Sequence, residues 1–279
     1  MKRYRILGWD FDSRANSLKM EILDSWEEAV KKSHKESNDQ IIKSLIHEYG
    51  EQNASVKVQN FIDLGIKSIS VIAFHNKFFT EVRNSFIVGS YYPALTGACA
   101  LGERILNHLL LTLRDDFKSS PLYKGIYRKS SFDDWELAIS TLESWSILLP
   151  EAAKNFRILM VKRHKSIHFN PETDKNPREL ALEAIQCLQK ILGEQFSGFG
   201  PQPWFITDIP GEIYLKKDWV LHPFIQKVYI PNSILVSYEH IIEEIIPKFI
   251  IRDNFNHEEA EINDEEFVRL RNENNRPTE

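Results

Sequence analysis

Cysteine is almost missing: Cys99 and Cys187 are the two in 279 residues. Each falls inside an apolar helical pattern and reads as a small buried hydrophobe, which excludes a disulfide framework or a cysteine-rich zinc module. A reducing compartment, the cytoplasm, is therefore expected. Glycine and proline are sparse, at 11 and 12 residues, which excludes a fibrous or low-complexity chain. No stretch approaches the roughly 18 apolar residues that crossing a bilayer requires. The opening MKRYRILGWDFDSR is basic, but Asp10 and Asp12 cut its apolar run too short for a signal peptide. The expectation is a protein neither exported nor embedded, with no membrane partner. GFGPQPWF at 198–205 contains glycines but lacks the strand–GxxxxGK–helix setting of a phosphate loop, and no HExxH zinc motif occurs.

What is present is the composition of a folded globular protein, 42% hydrophobic and 27% charged, long enough for one main domain with appendages. The net charge of −5 is concentrated at one end. Residues 252–279 hold nine acids against four arginines, which leaves 31 acids and 31 basic residues in 1–251. A neutral body permits a local basic groove without requiring one.

Along the chain, 1–65 is a mixed N-terminal region with a short strand expected at Tyr4–Trp9. From 66 to 198 the pattern is helical. Leu95, Ala98, Leu101, Ile105, Leu106, Leu109, Leu110 and Leu113 recur at intervals of three and four, the mark of a helix apolar on two sides and central in its fold. A helix from Ser131 carries Trp135, Ala138, Leu142 and Trp145 on one face. Pro150 ends it and opens the next, from Glu151 to about His168. After the turn FNPETDKNP, Asn176 as N-cap, Pro177 and Glu179 start a helix that Gly193 should stop. Residues 199–251 read as a small strand-rich appendage ending in a short helix over SYEHIIEEIIPKFII, and 252–279 as an acidic flexible tail. The fold class expected is mainly α: an antiparallel bundle of four to five helices with a small strand-containing C-terminal appendage.

The segment VKRHKSIHFNPE at 161–172 carries the chemistry. At roughly 100° per residue, Ala152, Phe156, Leu159, Met160 and Ile167 all fall within about 60° of Arg163. A guanidinium in an apolar stripe needs a carboxylate, a buried interface or an anionic ligand. His164 and His168 lie at the edge of that stripe, so a cation and two imidazoles converge on one rim. Such a set suits RNA phosphodiester cleavage. An imidazole titrates near neutrality and can serve as base or acid, and a planar guanidinium fork can hold the phosphate as its charge grows. No metal or other cofactor is called for. The bland readings stand beside this one: a structural ion pair or helix-end cation for Arg163, an ordinary turn histidine for His168. His164 and His168 at i, i+4 could also ligate a metal, but no third ligand is evident nearby. His47 and His75 read as surface or core-edge histidines, and Trp204 and Trp219 as core residues of the small appendage.

Arg163-His164-Lys165-Ser166-Ile167-His168 resembles the R-[N/H/D]-x3-H signature of the HEPN superfamily, with His164 at the polar position after the arginine. The long helix before it and the helix from Pro177 after it match the family's setting, over roughly residues 70–196. The resemblance implies a homodimer whose two motifs face one another in a composite active site. It also implies RNA cut without metal to leave a 2′,3′-cyclic phosphate, by a toxin or antiviral defence effector held by a regulatory or antitoxin protein. Arg163, His164 and His168 would be catalytic. Glu103 on the early long helix is the expected partner of Arg163, with Asn107 one turn further on, and Lys165 and Ser166 support from within the motif. The alternative is a catalytically silent module of the same kind that binds RNA, a nucleotide or a partner protein.

Overall fold

The computed structural model describes residues 1–7, 10–72, 75–167, 175–245, 248–253 and 261–275. It is mainly helical with a small antiparallel sheet region. Two compact units emerge, one of Asp10–Phe196 and one that joins Met1–Trp9 to Ser197–Glu279.

In the helical unit, α1 (Arg14–Lys19), α2 (Glu28–Tyr49), α3 (Ala54–Leu64) and α4 (Asn76–Ile87) precede the 23-residue α5 (Tyr91–Leu113). The short α6 (Tyr123–Ile126) follows, then α7 (Trp135–Ser144), α8 (Pro150–Ile167) and α9 (Pro177–Gln195). All eight apolar residues of the expected two-sided pattern are buried in α5, and α5 accordingly touches α4, α7, α8 and α9. The closest approach is at Gly102. A Cβ there would fall 2.7 Å from Leu159 Cδ2 and 2.9 Å from Trp135 Cη2, so a hydrogen in place of a side chain lets α7 and α8 reach the middle of α5.

The helical unit reaches further back than the expected start at 66, because the first helices are tied to it. Arg178 of α9 donates to Asn60 Oδ1 and pairs with Asp63 of α3 at 2.5 Å. Two helix ends also differ from expectation. α7 begins at Trp135 rather than Ser131, since Asn107 accepts from Phe132 N and donates to Phe132 O, and Asp134 then caps the helix by accepting from Leu137 N. Gly193 does not stop α9. The buried Gln195 accepts from Leu149 N and donates to Ile147 O, and the helix runs two residues further, to Gln195.

The other unit is built on a sheet of order β2-β3-β1-β4, antiparallel throughout. It comprises β1 (Lys2–Ile6), β2 (Phe205–Ile206), β3 (Tyr214–Leu215) and β4 (Ser233–Ser237). The N-terminal strand is therefore interior to the sheet, two residues earlier than expected at its start. The expected last helix is instead strand: β4 leads into a hairpin of β5 (Ile241–Glu244) and β6 (Ile250–Arg252). Isoleucines at 241, 242 and 245 are β-branched, stiff at χ1 and better accommodated on a pleated surface than a helix. The acidic tail is also corrected where described. Asn263 caps α10 (Asp264–Asn274) by accepting from Glu266 N, and three acids fill the first turn where the helix dipole favours them. Phe267 of this helix enters a core with Ile206, Ile209, Tyr214 and Val236.

Candidate functional site

Proline at its first position and Glu151 in its first turn open α8, and His164 and Lys165 end it with basic side chains where the helix dipole favours positive charge. Ala152, Phe156 and Leu159 are fully buried, so the stripe that contains Arg163 does face the interior. The arginine reaches across to α5. Its Nη2 lies 2.8 Å from Glu103 Oε2, with the two side chains 19% and 34% exposed. Trp135 Nε1 donates to the same carboxylate oxygen at 3.3 Å, and its ring centroid lies 5.8 Å from the Arg163 Cζ, a cation–π distance.

Arg163 is not saturated by these contacts. Its Nε is shielded from water and has no hydrogen-bond partner among the described residues, an arrangement that costs about 1–3 kcal/mol unless something else completes it. Glu103 holds the Nη2 prong, the Trp135 ring lies within cation–π distance, and the buried Nε–H is left without an acceptor among the described residues. A guanidinium held this way is oriented and charged yet able to take a further acceptor.

The remaining candidates separate. His164 and Lys165 are exposed at the last turn of α8. Ser166 is buried, its hydroxyl donating to Arg163 O at 3.1 Å and its carbonyl accepting from Tyr92 Oη at 3.1 Å; it anchors the helix end. Asn107 does not reach Arg163. It uses its amide on Phe132, as above, and on Glu103 O at 3.0 Å. His168 lies outside the described residues. Trp135 joined the site without being expected there: its place on the apolar face of α7 was legible, but nothing in its spacing shows that the indole N–H meets Glu103. Gly102, next to Glu103, permits that meeting.

Among the described residues, no group of three or more His, Cys, Asp or Glu side chains is placed to hold a metal ion, and no helix is long and apolar enough to cross a membrane. Fold and site together define a mainly helical protein with an oriented, incompletely satisfied arginine at the end of α8. Comparison with family models, with curated proteins and with solved structures gives no match to this chain.

Proposed function

We propose that the chain is a metal-independent endoribonuclease of the HEPN type. In this reading the helical unit is an antiparallel four- to five-helix bundle, the strand-bearing unit its appendage, and the protein a cytoplasmic homodimer. It would act as a toxin or antiviral effector restrained by an antitoxin or other regulatory protein. One observation supports this above the rest: a guanidinium set in an apolar stripe, positioned by Glu103 and Trp135 and left with an unpaired Nε, at the helix end where His164 is exposed.

Arg163 takes a non-bridging phosphate oxygen into its donor fork, an interaction that strengthens as charge builds on the phosphorane. His168 accepts the 2′-hydroxyl proton as the 2′-oxygen bonds to phosphorus. The bond from phosphorus to the 5′-oxygen breaks, and that oxygen takes a proton from a second imidazole, His164 or one of the facing copy. The products are a 2′,3′-cyclic phosphate and a 5′-hydroxyl.

The Glu103 pair favours a second reading, because a carboxylate on the guanidinium competes with phosphate. In that reading the module binds RNA, a nucleotide or a partner protein and cuts nothing. Purified protein incubated with total RNA and tRNA in EDTA separates the two. The ribonuclease reading expects cleavage that is lost in Arg163→Ala and His168→Ala proteins of unchanged circular dichroism. Intact RNA at every protein concentration leaves the silent module.

A further inference from the structure

One turn of α5 beside the Arg163 site carries a second set of unused basic groups. Arg104 follows Glu103 directly and so faces about 100° away from it around the helix. His108 is four residues on, within about 40° of Arg104. Both are exposed, and neither has a hydrogen bond or ion pair among the described residues. The imidazole of His75, at the start of α4, lies against His108 with ring centroids 4.7 Å apart and planes inclined by 32°. His75 is only 6% exposed, and its Nε2 is shielded from water without a partner among the described residues. A buried imidazole nitrogen with nothing to bond is rare in native structures and points to an absent partner.

We propose that Arg104, His108 and His75 form a phosphate-binding site, a second station for the backbone of the RNA strand cut at Arg163. The phosphate chemistry follows from these residues, while the identity of the ligand as RNA rests on the ribonuclease reading. Two imidazoles alone could suit a transition-metal ion. The charge of Arg104 reaches both rings, which opposes a cation and welcomes an anion. Burial, then the neighbouring His108 and Arg104, push His75 down to about 4, and burial followed by Arg104 lowers His108. Both rings are thus neutral when the site is empty, and an arriving phosphate would draw protons onto them. Arg104 and His108 make the outer contacts, and His75 Nε2 gains the acceptor it lacks.

The experiment uses the full chain and two probes, a 2′-O-methyl RNA oligomer that cannot be cut and inorganic phosphate, read by the histidine ring resonances and by affinity at several salt concentrations. We expect the His75 and His108 resonances to move with the oligomer and their titration to shift upward. In Arg104→Ala/His108→Ala protein, whose altered residues are exposed, affinity should fall about tenfold. The slope of log K against log salt should become shallower by about 0.7 for each cationic contact removed. Unchanged affinity in the double variant, or rings that respond to zinc and not to the oligomer, would overturn the site. Inorganic phosphate binding as tightly as the oligomer would overturn its assignment to RNA. If the oligomer binds here but cleavable RNA stays intact, the ribonuclease reading fails and this one stands. If RNA is cut, Arg163→Ala is dead and the double variant matches wild type, the reverse holds.

Discussion

Two arginine–glutamate pairs, one in each unit, are built to different ends. In the strand-bearing unit Arg271 donates from Nε and Nη2 to both oxygens of Glu212 at 2.8 and 2.7 Å. Its Nη1 donates to Tyr238 O and His240 O at 2.8 and 2.7 Å. Arg5 adds a second cation at 3.0 Å from Glu212, and Tyr214 Oη donates to the same carboxylate. The side chains of Arg271 and Glu212 are 5% and 11% exposed. Burial alone would raise the Glu212 carboxyl, but hydrogen bonds from Arg271 and Tyr214 and the charge of Arg5 hold it down to about 2. Among the described residues Arg163 makes a single ion-pair contact and keeps a buried N–H unpaired. A saturated pair is a structural clasp. An unsaturated one keeps binding capacity in reserve at some cost in stability, which is how functional sites commonly depart from the rules that cores obey.

The comparison breaks most directly by removing each arginine. Arg271→Ala should cost about 3–5 kcal/mol of unfolding free energy, since Glu212 is left buried with the Tyr214 hydroxyl and one cation, Arg5, in place of a two-pronged clasp; a loss below 1 kcal/mol in denaturant titration would show that the clasp is dispensable. Under the proposed ribonuclease function, Arg163→Ala should lower the rate of RNA cleavage by about 10²–10³-fold, the usual loss on removing one transition-state donor. Its stability should change by no more than about 1 kcal/mol, so a severe loss would place this pair in the same class as Arg271. Gly102→Ala should cost about 1–3 kcal/mol by forcing Leu159 and Trp135 away from α5. Under the same proposal cleavage should fall with it, which would tie the helix crossing to the site; an unchanged melting temperature and rate would dismiss that link.

The smallest effect expected is one of pH. His240 accepts from Arg5 Nη1 at 2.5 Å and donates from Nδ1 to Ser237 O at 2.7 Å, which requires a neutral ring. Burial above all, with Arg271 and Arg5 nearby, holds it down to about 4 despite the Ser237 bond. A histidine lowered in the folded state stabilises fully above its unfolded value near 6.5, and the benefit fades as pH falls toward about 4. Between pH 7 and 5.5 its share should be about 1 kcal/mol. His240→Gln should flatten the stability–pH profile by that amount, and His75 should retain its own share. An equal slope in both proteins would refute the role given to His240.

The site was legible where local periodicity carried the information. Arg163 inside the apolar stripe of α8 follows from angular positions on a helix whose pattern is strong, whereas Glu103 was expected as its partner from the family resemblance, and the two side chains do meet. Trp135 was read as core, and its second use depends on where α7 crosses α5. The misread elements share a cause. SYEHIIEEIIPKFII has no clear period, and its isoleucines at 241, 242 and 250 went to strand where β5 and β6 pair with each other. The tail beyond 252 looked too charged to fold, yet Phe267 and Arg271 of α10 both find partners distant in sequence: Tyr214 and Val236 for the ring, Glu212 for the guanidinium.

The amino-acid order by itself determined the long helices, the place of Arg163 within an apolar stripe and the basic end of α8, because those depend on intervals of three and four residues within one segment. Tertiary structure decided the rest: that the first strand joins a sheet with residues beyond 200, that the acidic end contributes a core phenylalanine, and that one arginine is saturated while the other is not. These outcomes depend on pairings between segments far apart in the chain, and such pairings are selected by the total burial and hydrogen bonding of the folded unit, which no local spacing encodes.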